Sequence, residues 1–389
     1  MSLKILSLLK RAFLAIMLTA ISCVEPFDKA FPASETIYIV DGRLTDNTSS
    51  NYVKLTLSKP VSTSFPTYVP VSGATVKVIV NGETDVSLTE TSSGIYKFPS
   101  EFKGEVGSSY QLVFTLANGL LFESNLEKMN PASKINKVYH AFDERAIKLP
   151  EETLPGQYVY IDTKDEESTI DFYMWDWVLY EQQTYCQTCD RALYYNDAST
   201  GPLGECRPLS RDRDVIYDYR CDALCWEIIS ASKINVMNDQ FSNGREIIGR
   251  QVAEIPVYQK VGALIEIRQY AINNNVYDYL RLVESQGQNT GGLADTPPAT
   301  LAGNINSKDD IKQAIGGYFI VAAVDKQLYW LDKQDIPGTL PAIGLLGGRK
   351  VNPEPVNPAD TSRPPLAPCI NSDTRTVNQP EGWFTARQN

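Results

Sequence analysis

The stretch of sequence that decides the fold is residues 170–180, which has the sequence IDFYMWDWVLY. Its density of aromatic and branched apolar residues predicts a long β-strand. Side chains alternate between the two faces of a strand, so Tyr173, Trp175 and Trp177 are predicted to share one face. These three residues are a candidate platform for a sugar or peptide ligand, unless theirs is the face buried in the core.

Outward from this strand, the sequence predicts further β structure. Cys225–Ser230 and Ala263–Ile272 have the same apolar and aromatic character, and an apolar strand at Tyr318–Val324 is followed by a partner at Gln327–Leu331. Residues 181–220, which lie between the strand at residues 170–180 and Cys225–Ser230, are predicted to form a loop-rich insert. The second half of the chain is therefore predicted to be a β-rich domain.

One or two short helices are predicted within this β-rich half. In Asn273–Gln286, the residues Val276, Leu280 and Val283 recur at the spacing that places side chains on one face of a helix. A second, shorter helix is predicted to begin at Ser307, because serine is a preferred residue at helix N-termini.

The first half of the chain has the pattern of short strands separated by turn residues such as Asn81-Gly82 and Asn118-Gly119. Leu55 and Leu57 alternate with Lys54 and Thr56, as expected of a strand with one buried face. About seven strands in roughly 100 residues predict an Ig-like β-sandwich. The predicted strands are Thr36–Leu44, Tyr52–Ser58, Ala74–Val80, Val86–Glu90, Ile95–Phe98, Tyr110–Ala117 and Leu120–Ser124.

The N-terminus has the layout of a secretory signal peptide. Three basic residues within positions 4–11 precede an uncharged apolar run at residues 12–21, which is shorter than the roughly 20 residues that a spanning helix needs. The sequence Ala20-Ile21-Ser22-Cys23 resembles a bacterial lipobox. We therefore predict that Cys23 becomes the lipidated mature N-terminus and anchors the protein to a membrane. An ordinary signal peptide that happens to contain a cysteine is the alternative.

The predicted organisation of the chain follows from these patterns and from prolines, which occur in the polar residues 127–157 and are frequent after residue 350. It comprises a lipoprotein signal peptide (1–22), a lipidated N-terminus and tether (23–35), an Ig-like β-sandwich domain (36–126), a polar connector (127–157), a β-rich domain with a cysteine-bearing loop (158–335) and a proline-rich tail (336–389).

The mature chain is predicted to be strongly acidic. Loss of residues 1–22 removes three positive charges and no negative charge, so the net charge of −11 becomes −14. Such a surface repels nucleic acid and anionic lipid headgroups, so nucleic acid is not an expected partner.

The cysteines other than Cys23 are even in number. Export to an oxidising compartment favours disulfide bonds between them. A zinc site is the alternative, because the sequence contains one CxxC and one CxxxC. The disulfide candidates are Cys186, Cys189, Cys206, Cys221, Cys225 and Cys369.

Residues that could carry catalysis are sparse. The only histidine is His140, in the predicted connector, which gives poor support to a Ser/His/Asp triad and excludes a histidine-rich metal site. Asp212, Asp214 and Asp218 have a spacing that could suit calcium, but the neighbouring Arg211 and Arg213 favour a solvated loop. The sequence therefore predicts a non-catalytic protein without a metal or cofactor. A hydrolase is an alternative that these residues support less well.

Short motifs are spread in a fixed order along both halves of the chain. In the first half they are Cys23-Val24-Glu25-Pro26-Phe27, Val40-Asp41-Gly42, Gly73-Ala74-Thr75-Val76 and Gly94-Ile95-Tyr96. In the second half they are Trp175-Asp176-Trp177, Cys225-Trp226, Arg268-Gln269-Tyr270, Gly303-Asn304-Ile305 and Gly317-Tyr318-Phe319. Together they resemble the Bacteroidota outer-membrane lipoprotein family called domain of unknown function 4249, over nearly the whole mature chain.

The resemblance implies an outer-membrane lipoprotein that is exposed at the cell surface, with the periplasmic leaflet as the alternative location. It implies an accessory or binding subunit that works with a TonB-dependent, SusC-like β-barrel transporter. The alternative function is a surface protein that binds peptide or glycan on its own, through the aromatic residues of the second domain. The small-molecule or peptide ligand is not identified by these motifs.

Overall fold

The computed structural model describes residues 37–59, 67–149, 151–164, 171–190, 192–195, 205–208, 217–240, 244–257, 260–287, 303–309, 315–334, 336–337 and 371–383. Over these ranges the protein is mainly β, as predicted, and has one α-helix. The helix is α1 (Asn274–Gly287). The strands are β1 (Ile37–Thr45), β2 (Tyr52–Lys59), β3 (Thr67–Pro70), β4 (Thr75–Val80), β5 (Thr84–Ser87), β6 (Thr89–Ser92), β7 (Ile95–Lys97), β8 (Ser109–Thr115), β9 (Leu121–Ser124), β10 (Glu127–Lys128), β11 (Ile135–Lys148), β12 (Thr153–Lys164), β13 (Phe172–Asp190), β14 (Ala192–Tyr195), β15 (Glu205–Pro208), β16 (Tyr217–Ser230), β17 (Val236–Asn238), β18 (Glu246–Pro256), β19 (Ala263–Ile272), β20 (Ile305–Ser307), β21 (Ile315–Leu331) and β22 (Arg375–Thr376).

The first core lies between two sheets. One contains β1, β2, β3, β6 and β7, and the other contains β4, β5, β8, β9 and β10. Alternate residues of β8, such as Tyr110, Leu112 and Phe114, are buried in this core, because the strand period of two places them on the same face. All seven strands predicted in this half are present, except that Val86–Glu90 is divided between β5 and β6.

This sandwich also contains two strands from the far end of the sequence. β20 pairs with β9, with Ile305 opposite Ser124, and the first half of β21 pairs in parallel with β1. Ile305, Phe319 and Val321 are buried in the same core as β8. The sandwich therefore extends beyond the residues 36–126 that the sequence predicted for an Ig-like domain.

β21 joins the first core to the second. Residues 315–322 pair with β1, and residues 323–331 pair with β19. The prediction of two separate strands here is wrong, because Asp325 and Lys326 continue the same strand and pair with Gln269 and Arg268 of β19. The Asp325 carboxylate accepts the Ile135 N–H at 2.8 Å. This polar residue therefore binds the first residue of β11 and does not mark a turn.

The second core lies between β11, β12 and β18, which form a three-stranded sheet, and the large sheet that contains β13, β19 and β21. Val159 and Ile161 of β12 pack there against Trp175 and Ile265. Where the sequence predicted a polar connector at residues 127–157, the structure has β10, β11 and the start of β12. Most polar residues of β11 are exposed, so this strand lacks the apolar density by which the other strands were recognised.

The predicted loop-rich insert at residues 181–220 is wrong where the structure describes it. β13 and β16 continue to pair from Val178 opposite Ser230 as far as Asp190 opposite Tyr217, and β14 and β15 add two short strands. Main-chain pairing extends these strands into a sequence that is rich in polar residues and cysteines.

The helix prediction is confirmed by α1. The Asn273 side chain accepts the Val276 N–H at 2.9 Å, which caps the first turn. Ser307, where a second helix was predicted to begin, is instead the last residue of β20. Among the described residues, no helix has the length and apolar character that a membrane crossing requires.

Several predictions lie outside the described residues. These are the signal peptide, Cys23 with its tether, and most of the proline-rich tail. The same is true of the side chains of Asp212, Asp214, Asp218, Cys186, Cys189, Cys206, Cys221 and Cys369. Cys225 is described, and its side chain is fully buried.

Candidate functional site

β13 has different chemistry on its two faces. Its register with β19 places Trp175 opposite Gln269 and Asp176 opposite Arg268. Because successive side chains point to opposite faces, Trp175 lies on one side of the large sheet and Asp176 on the other. Two of the motif segments that carry the sequence resemblance are therefore direct neighbours.

The predicted aromatic platform faces the second core. Tyr173, Trp175 and Trp177 are 1%, 1% and 8% exposed, and the rings of Tyr173 and Trp175 stack with centroids 5.6 Å apart. The interpretation of these three residues as an open surface is wrong, because the three-stranded sheet covers their face.

The orientation of Trp175 is fixed by a buried polar network. Its Nε1–H donates to Gln269 Oε1 at 2.9 Å. Gln269 Nε2 in turn donates to Thr163 Oγ1 at 3.1 Å and to the Ser133 carbonyl at 2.8 Å. A buried tryptophan needs such a partner for its N–H, and a satisfied network makes its position rigid.

Arg250 covers part of the same indole. Its guanidinium lies 5.0 Å from the Trp175 ring centroid, within the range of a cation–π interaction, and donates to Asn235 Oδ1. Burial lowers the pKa of Arg250, and the charge of Glu284 opposes this effect. Arginine retains its charge under such a shift.

A cavity of about 220 Å³ opens beside these aromatic residues. It exceeds the roughly 150 Å³ of an apolar cavity that binds benzene and is smaller than the roughly 300 Å³ at which pockets for drug-sized ligands begin. Its volume therefore suits a single ring. It is lined by Ile147, Trp175, Trp177, Ala231, Ser232, Lys233, Ile234, Asn235, Gln251, Val252, Ala253 and Glu254.

The polar groups of the cavity centre on Glu254. Lys233 Nζ lies 2.7 Å from Glu254 Oε2, and Gln251 Nε2 donates to Glu254 Oε1 at 3.0 Å. The Lys233 side chain is 80% exposed, so this ion pair contributes little to folding. Ammonium, amide and carboxylate groups are thus available beside two indoles, which is a mixture suited to a ligand with an apolar face and polar edges.

On the opposite face of the sheet, Asp176 joins strands that are distant in sequence. Its carboxylate lies 3.0 Å from Arg43 Nη1 and 2.6 Å from Arg268 Nε, and it accepts the Tyr270 hydroxyl at 3.2 Å. Burial raises the pKa of Tyr270, so this hydroxyl stays protonated as a donor. The carboxylate contacts one guanidinium group from β1 and a guanidinium group and a hydroxyl from β19, so the cluster holds these two strands to β13.

His140 has a structural environment. Its Nδ1 lies 2.8 Å from the hydroxyl oxygen of Tyr329, and the two rings pack edge to face. Within the described part of the chain, no three or more His, Cys, Asp or Glu side chains are arranged as a metal site.

Sequence reasoning identified the tryptophans but missed the other walls of the cavity. Residues 231–235 and 251–254 come from a loop and from β18, which are far from β13 in sequence. Their sequence signal is limited to polar residues such as Gln251 and Glu254 beside buried Val252 and Ala253.

Comparison with known proteins gives one result. No curated protein and no solved structure matches the chain. The family model described as "Domain of unknown function (DUF4249)" matches residues 24–327, which is most of the chain. The chain therefore belongs to the DUF4249 family.

Proposed function

We propose that this chain is a non-catalytic lipoprotein of the bacterial cell envelope and serves an outer-membrane TonB-dependent transporter as a binding subunit. The observation that carries the binding role is the cavity beside Trp175 and Trp177. The proposed anchor rests on the lipobox-like sequence at Cys23. The proposed transporter rests on the family resemblance, which is an analogy and not a property of the site.

The cavity supports binding because its walls are held in place before any ligand arrives. Trp175 is fixed through Gln269, and Asn235 Nδ2 donates to the Gln251 carbonyl at 3.0 Å. A preformed site avoids the entropic cost of ordering its side chains on binding. The proposed ligand is one ring of a glycan or one aromatic side chain of a peptide, with the polar edge of the ring toward Glu254.

Calorimetric titration of the purified protein with a panel of oligosaccharides and peptides tests the cavity. Ala231→Phe places a phenyl ring in the cavity and is expected to abolish binding of any ligand found. Ala141→Phe is the matched control, since it adds the same group at an exposed position of β11, and it is expected to bind normally. Parental affinity in both variants would show that the ligand binds elsewhere.

Isolation of the native complex tests the transporter. The protein, extracted in mild detergent from its own membranes, is expected to co-purify with a β-barrel protein. Cys23→Ser is expected to leave the membrane fraction and to lose that partner. Repeated recovery without a β-barrel would contradict the proposal and favour a surface protein that binds its ligand alone.

Two further measurements test the proposed location and cysteine chemistry. Protease treatment of intact cells is expected to degrade a surface-exposed lipoprotein, whereas a protein on the periplasmic leaflet would be protected. The six cysteines other than Cys23 are proposed to form disulfide bonds. Five or six free thiols after denaturation without reductant would contradict that proposal.

A further inference from the structure

Residues 371–383 return to the large sheet after the long proline-rich sequence that precedes them. Their strand, β22, pairs with the end of β16, with Arg375 opposite Glu227 and Thr376 opposite Trp226. The Ile228 N–H donates to the Thr374 carbonyl at 2.8 Å. The segment thus adds a short strand to a sheet edge.

Trp383 is the main side-chain anchor of this segment. It is 3% exposed and packs with Trp226 and Leu264. Its ring meets that of Trp226 at 5.8 Å and 81°, and that of Trp330 at 5.0 Å and 88°. Such edge-to-face contacts are the favoured arrangement of aromatic pairs. We call the site formed by Trp226, Leu264 and Trp330 the tryptophan slot.

Two glycines shape the slot and the approach to it. A Cβ at Gly262 would lie 2.4 Å from the Trp330 ring, so glycine is needed for Trp330 to occupy its position. Gly382 has a φ of +80°, a backbone conformation that favours glycine, and it turns the chain immediately before Trp383.

Contacts of the segment with the sheet are concentrated at residues 374–376 and at Trp383. Between β22 and Trp383, the side chains of Asn378, Gln379 and Glu381 are exposed, and only Pro380 is buried. Peptides bound to sheet edges combine the same two kinds of contact. Main-chain hydrogen bonds provide affinity, and a side-chain pocket provides specificity. Buried tryptophans are frequent dominant contacts in such interfaces.

We infer that the edge of β16 and the tryptophan slot form a peptide-binding site, which the chain's own residues 371–383 occupy in this structure. Its ligand class is an extended peptide with a tryptophan downstream of the residues that pair with β16. Trp226 lies on the face of the sheet opposite Trp175, because Trp226 is opposite Gln182 and Gln182 shares a face with Asp176. The site is therefore separate from the cavity and does not depend on the proposed function.

The covalent link keeps the segment at a high effective concentration, so a peptide in solution competes poorly with it. Full-length Trp383→Ala removes the anchor but keeps the chain intact. A labelled peptide of residues 371–389 is expected to bind this variant about tenfold more tightly than it binds the parent. The same peptide carrying Trp383→Ala is expected to bind neither protein.

Tyr68→Ala is the matched control, because it removes an exposed aromatic side chain from β3 and should bind the peptide as poorly as the parent does. Equal binding of the peptide to the parent, the control and the Trp383→Ala variant would overturn the inference. So would equal binding of the two peptides to the Trp383→Ala variant.

A second experiment applies if the Trp383→Ala variant does not fold. A protease site is placed within residues 338–370 and cut after folding. The released segment is expected to remain bound during gel filtration and to be displaced by excess parental peptide but not by the Trp383→Ala peptide. Separation of the segment on cleavage, or equal displacement by both peptides, would overturn the inference.

Discussion

Gly317 lies directly against the backbone of Val40, and a Cβ built on Gly317 would stand 1.9 Å from the Val40 carbonyl oxygen. The two residues are opposite each other in the parallel pairing of β1 with β21. A Cβ on Gly303 would in turn stand 1.5 Å from the Gly317 carbonyl oxygen. Three distant backbone segments therefore meet without a side chain between them, at the point where β21 completes the sandwich.

Gly317→Ala is expected to destabilise the protein by about 3 kcal/mol, because it adds backbone strain to overpacking. Gly317 has a φ of +94°, and the new methyl group has no space. Gly316→Ala is the control, since a Cβ at Gly316 meets nothing within 4 Å. Urea unfolding measures both variants, and equal stability of the two would contradict the prediction.

Lys333→Met is expected to destabilise the fold by about 3–5 kcal/mol, because it leaves a buried carboxylate without its counter-ion. Lys333 Nζ lies 2.5 Å from Glu181 Oε1, and both side chains are fully buried. Urea unfolding of Lys333→Met, Glu181→Leu and the double variant measures the coupling. The double variant is expected to lose less stability than Lys333→Met, and strictly additive losses would contradict the importance of this pair.

His140 is expected to make the protein less stable in mild acid. Burial lowers the pKa of His140 below 6.5, and the charge of Asp332 opposes this effect. The unfolded chain therefore binds this proton more readily than the folded chain does. The contribution of the neutral His140 side chain to the free energy of unfolding is complete above pH 6.5 and is lost as the pH falls through the folded-state pKa.

Because the chain has one histidine, a proton NMR titration of the imidazole gives its folded-state pKa without ambiguity. Unfolding in urea at pH 7.5 and pH 5 gives the linked change in stability, and His140→Gln is expected to reduce that change. A folded-state pKa at or above 6.5 would refute the prediction.

Glu227 is expected to have the opposite pH dependence. Burial raises the pKa of Glu227 to about 7, while Arg375 opposes the shift and Glu181 adds to it. The folded-state pKa thus exceeds the unfolded value. The contribution of the protonated Glu227 side chain to the free energy of unfolding is therefore complete below about pH 4.5 and is lost as the pH rises through 7.

Glu227→Gln resembles the protonated side chain at every pH. It should be more stable than the parent at pH 8 and equal to it at pH 4.5, as measured by thermal unfolding. The gain should be modest because Glu227 is partly exposed. A variant that is less stable than the parent at pH 8 would contradict the prediction.

The strand content and the helix were predictable because they depend on local periodicity. Ala263–Ile272 coincides with β19, and Asn273–Gln286 differs from α1 by one residue at each end. Prediction was poorer for β11, whose polar side chains face solvent, and for the ends of β13 and β16, whose pairing extends beyond their apolar residues. Strand pairing is a non-local property, so it is weakly expressed in the sequence of either partner.

The aromatic residues of the candidate site could be found from the sequence, but their burial could not. Alternation alone places Trp175 and Trp177 on one face of β13 without indicating which face is covered. Which face is covered depends on the packing of β11, β12 and β18 against β13. Two of these three strands begin in the predicted connector. The same packing brings Lys233 and Glu254 beside the indoles.

The sequence by itself determined the β class, the long aromatic strand, the helix and the resemblance to the family that the comparison then showed. Only the tertiary structure decided that β21 is shared between two cores, that the tryptophans line a cavity and that Trp383 returns to the sheet. The physical reason is range. Periodicity and capping act over a few residues, whereas sheet neighbours and cavity walls arise from contacts between segments that are far apart in the chain.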